Sequence, residues 1–250
     1  METIAVIDFE TTGLGPTSGG RATEIAAVLV RAGVIVDAWA SLMNSGAWVP
    51  PHIQALTGIS NQMLTDAPDS ASVMRELARF TQGCPLVAHN AAFDRGFWQA
   101  EMQHAGLVPD PAHQFACTVL LSRRLWPEAR SHGLGAMTQF HDLRFNGRAH
   151  RAMADARVTA ELLLKVQAEI GRRFSLDLGD AVVDHGLLSH LQRTPLRWLR
   201  RGLVDHLKTR GMTARMAGAL EQTPCVLVTE LERDGTDNIH RIAGSCAGSP

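Results

Sequence analysis

Tyrosine is absent from this chain of 250 residues, so no tyrosine can act as a catalytic group or as a stacking platform. Cysteine is scarce: four scattered residues form no C-x-x-C pair, which argues against a zinc site and a disulfide framework, and most are expected to be buried thiols. No apolar run approaches the roughly 18 residues of a membrane span, and no secretory signal is visible at the N-terminus. These absences predict a soluble, cytoplasmic protein that does not enter a membrane.

Net charge is also nearly absent, because 24 basic and 25 acidic residues leave a formal charge of −1. Binding of a polyanion would therefore require bound cations or a local basic patch. One such patch lies near the C-terminus, where a single acid, Asp205, accompanies seven basic residues: Arg193, Arg197, Arg200, Arg201, Lys208, Arg210 and Arg215. This segment is either a solvated helix face or a surface that follows phosphates, and both interpretations remain open.

Strand-like and helix-like patterns alternate along the first 170 residues. A continuous β-rich run at residues 4–7 is followed by two more apolar runs, at residues 25–30 and 34–42, which flank a hairpin-like turn at Ala32-Gly33. Strands followed by alternating strands and helices predict an α/β fold, with a mixed sheet flanked by helices. Helices are predicted near residues 53–56, 61–64, 71–80, 91–104, 119–125, 134–141 and 151–170, and a short central strand at 85–88.

The pattern of apolar and charged residues along the sequence changes near residue 172. We predict a main domain over residues 1–170 and a small C-terminal α+β appendage over residues 171–250. The appendage contains the basic segment and a turn-like pair, Asp234-Gly235, which predicts a hairpin between residues 225–232 and 239–243. The tail at 243–250 is small and polar, so it is expected to fray and to carry no chemistry.

Two acids close the first predicted strand. Because side chains alternate across a strand, Asp8 and Glu10 project from the same face. Like charges this close need a cation, and Mg²⁺ prefers carboxylate, phosphate and water oxygens as ligands. A lone D-x-E pair can also cap the next element or stay solvated, so the pair is not decisive alone.

Two further motifs place acids at predicted helix starts. Residues 89–94 (H-N-A-A-F-D) follow the short central strand, so Asp94 falls in a first helical turn, where a carboxylate also interacts with the helix dipole. Residues 150–155 (H-R-A-M-A-D) lead into a helix whose inward stripe includes Asp155. Five residues correspond to about 140° around a helix, so His150 reaches the same centre only from the preceding loop, which Gly147 allows. There an imidazole can accept a proton from water, although a surface histidine at a helix start is the alternative.

The three motifs together resemble the DEDD exonuclease superfamily, in its proofreading-subunit and ribonuclease T branch, over roughly residues 1–168. The shared patterns are D-x-E-T-T-G at residues 8–13, H-N-x-x-F-D at 89–94 and H-x-A-x-x-D at 150–155. The resemblance implies a ribonuclease H-like fold and 3′→5′ exonuclease activity that releases nucleoside 5′-monophosphates. It implies two Mg²⁺ ions, for which Mn²⁺ can substitute, held by Asp8, Glu10, Asp94 and Asp155. It also implies that His150 is the general base, since the sibling branch uses a tyrosine that this chain lacks.

Contacts with the 3′-terminal nucleotide are implied by the same resemblance. Leu14 and Phe93 are the favoured ones, because an apolar wedge and an aromatic ring can unstack a terminal base without reading its identity. Phe97 and Trp98 are expected in the core. The full set comprises the backbone around Phe9, Thr11 and Thr12 and the side chains of Leu14, Ile59, Asn90 and Phe93, each of which has core packing as the alternative.

The substrate class stays open within this family. Single-stranded or frayed DNA ends in proofreading or repair are favoured, with a DNA polymerase as a candidate partner. Trimming of RNA 3′ ends is the alternative, because a contact with the 2′-hydroxyl leaves no motif here. A non-catalytic nucleic-acid-binding module is a further alternative, against which the intact acids and histidine weigh.

Overall fold

The computed structural model describes residues 1–144 and 147–211 of the chain. Its sheet has five strands in the order β3-β2-β1-β4-β5. β1 pairs antiparallel with β2 and parallel with β4, so the predicted mixed sheet is confirmed. Ala32 and Gly33 both have positive φ, as a two-residue hairpin turn requires. The strands are β1 (Thr3–Thr11), β2 (Ala22–Arg31), β3 (Val34–Leu42), β4 (Leu86–Ala88) and β5 (Phe115–Cys117).

Helices cover both faces of the sheet. The seven predicted helices are confirmed within a few residues at each end, whereas β5 and the short helices after residue 174 were not predicted. None of the described helices is long and apolar enough to cross a membrane. The helices are α1 (Pro51–Thr57), α2 (Asn61–Thr65), α3 (Ser70–Phe80), α4 (Ala91–His104), α5 (Thr118–Leu125), α6 (Leu134–Phe140), α7 (Ala152–Arg173), α8 (Ser175–Leu178), α9 (His185–Leu191) and α10 (Leu199–Thr209), with short 3₁₀ turns at Pro16–Ser18 and Leu196–Trp198.

The alternation of side chains along β1 separates two apolar layers. Ile4 and Val6 pack into one core cluster together with residues of α7, whereas Ala5 and Ile7 pack into the other, with residues of α3 and α4. Asp8 lies in phase with Ile4 and Val6, and so does Glu10. The two acids therefore continue the α7-facing side of β1 beyond the apolar core.

The helices after α7 share a core with the sheet. Leu188 of α9 and Leu203 of α10 are fully buried in the same cluster as Val6 and Val87. The first compact unit of the chain is Met1–Ala214, so the predicted boundary at residue 170 falls inside it. The predicted nucleic-acid-binding role of residues 171–250 stays a prediction.

The second unit, Arg215–Pro250, lies outside the described residues. The predicted hairpin at 225–243, the tail at 243–250 and two of the cysteines, Cys225 and Cys246, belong to it. The other two cysteines, Cys84 and Cys117, are free and buried, as expected.

Candidate active site

Four carboxyl groups converge at one edge of the sheet. Asp8 and Glu10 lie near the end of β1, and Asp94 lies in the first turn of α4, directly after β4, the parallel neighbour of β1. Asp155 comes from the first turn of α7, on the face that Asp8 and Glu10 share. The Phe9 N–H donates to Asp94 Oδ1 at 3.2 Å, which ties α4 to the strand between the two acids. The carboxyl ends of parallel strands are a common location for binding sites in α/β sheets.

Burial makes this group of acids electrostatically costly. The exposed fractions of Glu10, Asp94 and Asp155 are only 9%, 2% and 9%, and Asp8 is half-buried. Asp155 Oδ1 is buried and accepts no hydrogen bond from any described residue. A buried carboxylate without a partner is strongly disfavoured unless a cation or a proton neutralises it.

The pKa values of these acids rise for that reason. Burial, followed by the charges of Asp155 and Glu24, raises the pKa of Glu10 to about 8. Burial also raises the pKa of Asp94 to about 7, against the opposing effect of its hydrogen bond from the backbone. For Asp8, burial and then the neighbouring Asp94 carboxylate raise the pKa well above its usual range. Near neutral pH the cluster therefore retains protons or recruits a cation.

His150 lies in the loop before α7, as the spacing predicted. Its φ of 61° is in the left-handed region, and Gly147 in the same loop also has positive φ. One ring nitrogen of His150 and one carboxylate oxygen each of Glu10 and Asp155 lie within 4.8 Å of one another. The imidazole itself is exposed. This arrangement can hold a metal ion. It also places the imidazole next to the position that a water molecule beside the carboxylates would occupy.

Glu24 is a site residue that the motifs did not reveal. It lies on β2 opposite Glu10, and its carboxylate accepts hydrogen bonds from Arg151 Nε at 3.0 Å, Arg151 Nη2 at 2.7 Å and the Ala152 N–H at 3.0 Å. These bonds fasten the start of α7, and thus the adjacent His150, to the sheet. The sequence contained one signal for this residue, because Glu24 is an acid inside an apolar strand and a buried charge requires a partner.

The predicted nucleotide contacts on the loop after β1 differ in their surroundings. Leu14 is 94% exposed and free to act as a wedge. The Thr12 N–H donates to the Arg21 carbonyl at 2.9 Å, and its Oγ1 accepts from the Arg21 N–H at 3.0 Å. Thr11 Oγ1 donates to the Gly13 carbonyl at 2.7 Å. The threonines thus shape the loop that presents Leu14.

The remaining predicted contacts lie on three elements. Asn90 is exposed before α4 with a φ of 69°, and Phe93 is half-buried with its ring centroid 4.9 Å from that of Phe97. Phe97 and Trp98 are buried, which confirms their core assignment. The structure does not bring Ile59 to the surface, because its side chain is fully buried in a small apolar cluster. The Phe9 side chain is buried as well, so only backbone atoms there remain as candidates.

Comparison with known proteins places these motifs in a family. A family model described as exonuclease, RNase_T, matches residues 5–163. The 3′-5′ exonuclease DinG of Bacillus subtilis (strain 168) is 36% identical over 162 residues, which cover 64% of this chain and 17% of that protein. The DNA polymerase III PolC-type of the same organism is 36% identical over 182 residues, which cover 72% of this chain and 12% of the polymerase. The chain thus spans a small part of the length of these curated relatives.

A solved structure supports the same grouping. Exonuclease X in complex with 5′ overhanging duplex DNA is 30% identical, with a TM-score of 0.55, and the match covers 67% of this chain and 93% of that chain. The five-stranded mixed sheet flanked by helices is the ribonuclease H-like fold of such exonucleases. The family model includes all three acidic motifs and more than half of the sequence. This chain belongs to the RNase_T exonuclease family.

Proposed function

We propose that this protein is a metal-dependent 3′→5′ exonuclease that hydrolyses nucleic-acid 3′ ends to nucleoside 5′-monophosphates. The observation that carries the proposal is the convergence of Asp8, Glu10, Asp94 and Asp155 at one edge of the sheet. The neighbouring guanidinium of Arg151 is engaged by Glu24 and does not neutralise all of them. Hydrolysis of a phosphodiester accounts for this uncompensated negative charge, because bound cations would offset the charge of both the carboxylates and the phosphate.

The residues present fit hard divalent cations such as Mg²⁺ or Mn²⁺. Every acid of the cluster offers oxygen ligands, and the buried Asp155 Oδ1 has no partner among the described residues. Two bound ions would lower the pKa of the attacking water and stabilise the leaving 3′ oxygen. We assign Asp8, Glu10, Asp94 and Asp155 as the ligands of both ions.

The chain's own groups then orient the substrate and move the proton. His150 accepts the proton of the attacking water, since its imidazole lies beside the Glu10 and Asp155 carboxylates. Leu14 and Phe93 unstack and support the terminal base, which would hold the scissile phosphate at the acids.

DNA is the favoured substrate. A DNA polymerase III PolC-type contains a segment matching this chain, and the exonuclease X structure contains duplex DNA. For the same reason a DNA polymerase is the favoured protein partner. Cleavage of RNA at a comparable rate would instead favour the end-trimming alternative.

One assay tests the proposed function. Oligonucleotides labelled at the 5′ end are incubated with the protein and Mg²⁺ under identical salt: single-stranded DNA, duplex DNA with a mismatched 3′ terminus, and single-stranded RNA. We expect stepwise shortening from the 3′ end, with both DNA substrates cleaved faster than RNA, and nucleoside 5′-monophosphates as the products. Full activity in excess EDTA, or shortening from the 5′ end, would contradict the proposal.

The raised pKa values predict how the metal-free protein responds to pH. Between pH 5 and 7 the folded state keeps a proton on Glu10, whose pKa is about 8, and keeps one on Asp94 until the pH approaches its pKa of about 7, whereas the unfolded chain has released most of both. The free energy of unfolding is therefore expected to fall by about 1.4 kcal/mol per pH unit for each such group. Urea unfolding in EDTA across this range measures the slope.

Two variants make this test specific. Glu10→Gln should flatten the slope by the contribution of one group, whereas Glu76→Gln, on the exposed side of α3, should leave it unchanged. Saturating Mg²⁺ should restore stability at pH 7, by about 2.7 kcal/mol at 100 times its Kd. A slope of the opposite sign would show that the acids are not held together in the folded protein.

A further inference from the structure

An exposed tryptophan at the start of α10 has two guanidinium groups close to its ring. Trp198 is 47% exposed, and Cζ of Arg197 and of Arg201 lie 5.6 Å and 5.8 Å from the centre of its ring. Exposure of a large aromatic ring is unfavourable, because its apolar surface faces water and does not gain the free energy that burial would provide. Proteins commonly bind single-stranded nucleic acid with an aromatic ring beside arginines, because a base stacks on the ring and the phosphates pair with the guanidinium groups.

The arginines around this ring are only weakly neutralised. Arg193 and Arg197 form no ion pair with any described residue, and Arg201 Nε lies 3.7 Å from Asp205 Oδ2, beyond a good hydrogen bond. Both Arg201 and Asp205 are exposed, so this pair contributes little. Other arginines of the basic segment are instead engaged by acids, in the pairs Arg200 with Asp177 and Arg210 with Asp184.

An open cavity of about 760 Å³ adjoins the ring. Arg193, Arg201, His190 and His206 line it together with Trp198, and Asp205 is its one acid among the described lining residues. This volume is within the range of about 300–1,000 Å³ that is typical of small-molecule sites, so a nucleotide unit fits. Two arginines, Arg193 and Arg201, stand against the single acid Asp205 among the described lining residues, which suits a phosphate.

The surface is anchored to the edge strand β5 of the sheet that carries the candidate active site. Gln192 Oε1 accepts the Cys117 N–H at 2.7 Å, and Gln192 Nε2 donates to the Phe115 carbonyl at 3.1 Å, so this side chain pairs with the edge strand β5. Cys117 is in register with Ala88, directly before the turn that opens α4. β5 is two strands from β1, on the order of 10 Å across the sheet.

We propose that Trp198 and the arginines 193, 197 and 201 form a second contact site for the substrate strand, in which a base stacks on the indole ring and phosphates pair with the guanidinium groups. The ligand is single-stranded nucleic acid upstream of the cleaved 3′ end. The site rests on the proposed function for its ligand, and it does not contact the reacting phosphate. Stacking without base-specific hydrogen bonds would make binding tolerant of sequence.

Binding in EDTA tests the stacking contact without hydrolysis. Fluorescence anisotropy compares a labelled single strand of about 20 nucleotides, longer than typical single-strand sites, with a trinucleotide. Trp198→Ala is expected to weaken binding of the long strand by about 5-fold to 150-fold, the usual effect of losing one stacking aromatic. Trp198→Phe should recover most of the affinity. Trp48→Ala, at another exposed tryptophan, is the matched control and should bind as the wild type does.

The charge contacts have a separate readout. Arg197→Gln and Arg201→Gln should each reduce the slope of log K against log salt for the long strand by about 0.7. Arg172→Gln is the control, because Arg172 is equally exposed but is paired with Glu169 on α7. Circular dichroism confirms that the variants are folded.

The outcomes separate this site from the proposed function. If neither Trp198→Ala, Trp198→Phe nor the arginine variants change affinity or salt slope for the long strand, the second site is wrong, including the case in which a protein occupies this surface. Hydrolysis of the trinucleotide by the wild-type protein tests the proposed function independently. Weaker binding by Trp198→Ala in a protein that hydrolyses nothing would support the site and overturn the function.

Discussion

Asp94→Asn and Asp155→Asn are each expected to lower kcat by more than about 100-fold, beyond the 10-fold to 100-fold that loss of an outer partner of a metal ligand costs. The reason is that each carboxylate supplies an oxygen to a shared site, and an amide is a neutral and weaker ligand. In the Asp94→Asn variant the amide oxygen would still accept the Phe9 N–H that ties α4 to β1, so the local geometry should persist. Single-turnover kinetics with saturating Mg²⁺ measure the effect.

Stability measurements distinguish lost chemistry from lost fold. Both acids are nearly buried with raised pKa values, so removing one charge should keep or increase the stability of the metal-free protein near pH 8. Calorimetric titration should show weaker binding of Mg²⁺. Asp37→Asn, an exposed acid on β3, should change neither rate nor stability. A folded Asp94→Asn protein with near-normal kcat and Mg²⁺ affinity would refute the assignment of Asp94 as a ligand.

The shared orientation of Asp8 and Glu10 was predictable because it follows from local periodicity, whereas the convergence of Asp94 and Asp155 with them was implied only by the family resemblance. Side chains two residues apart share a face, so Ile4 and Val6 in the core placed Asp8 and Glu10 toward the same helix layer. The spacing between His150 and Asp155 similarly required a loop before α7. The positive φ of His150 shows that this residue lies in such a loop. These inferences needed no knowledge of which elements pack together.

Features that depend on long-range packing were not predictable in this way. Glu24 acts through Arg151, which is 127 positions away in sequence, so no local pattern links them. β5 has only three residues, too few for alternation to show, and it is recognisable only by its pairing with β4. Ile59 lies in a motif-like segment, yet its side chain fills a core cluster because an apolar residue in a loop can face either way.

The basic segment near the C-terminus also depends on long-range packing. Its sequence shows seven basic residues, but ion pairing by residues on other elements decides which of them stay available. Arg200 is neutralised by Asp177 on α8, whereas Arg197 stands over the Trp198 ring. A count of charges therefore overstates the surface that can contact phosphates.

His150→Ala is expected to lower kcat by roughly 10²-fold to 10⁴-fold, the usual contribution of a positioned general base. Binding of Mg²⁺ should be largely unchanged, because the four carboxylates remain. Raising the pH should partly rescue the variant, since deprotonated water becomes more abundant without the imidazole. Rates across pH and calorimetric Mg²⁺ titration provide both measurements.

Matched variants separate the two roles that the geometry allows for this imidazole. His150→Asn preserves a residue type that tolerates the left-handed backbone seen at this position but supplies no base, so it should resemble His150→Ala in rate. His104→Ala, an exposed histidine in the last turn of α4, should have no effect. If Mg²⁺ affinity instead collapses in both His150 variants and high pH gives no rescue, the ring nitrogen within 4.8 Å of the Glu10 and Asp155 oxygens is a metal ligand, and the base must be sought elsewhere.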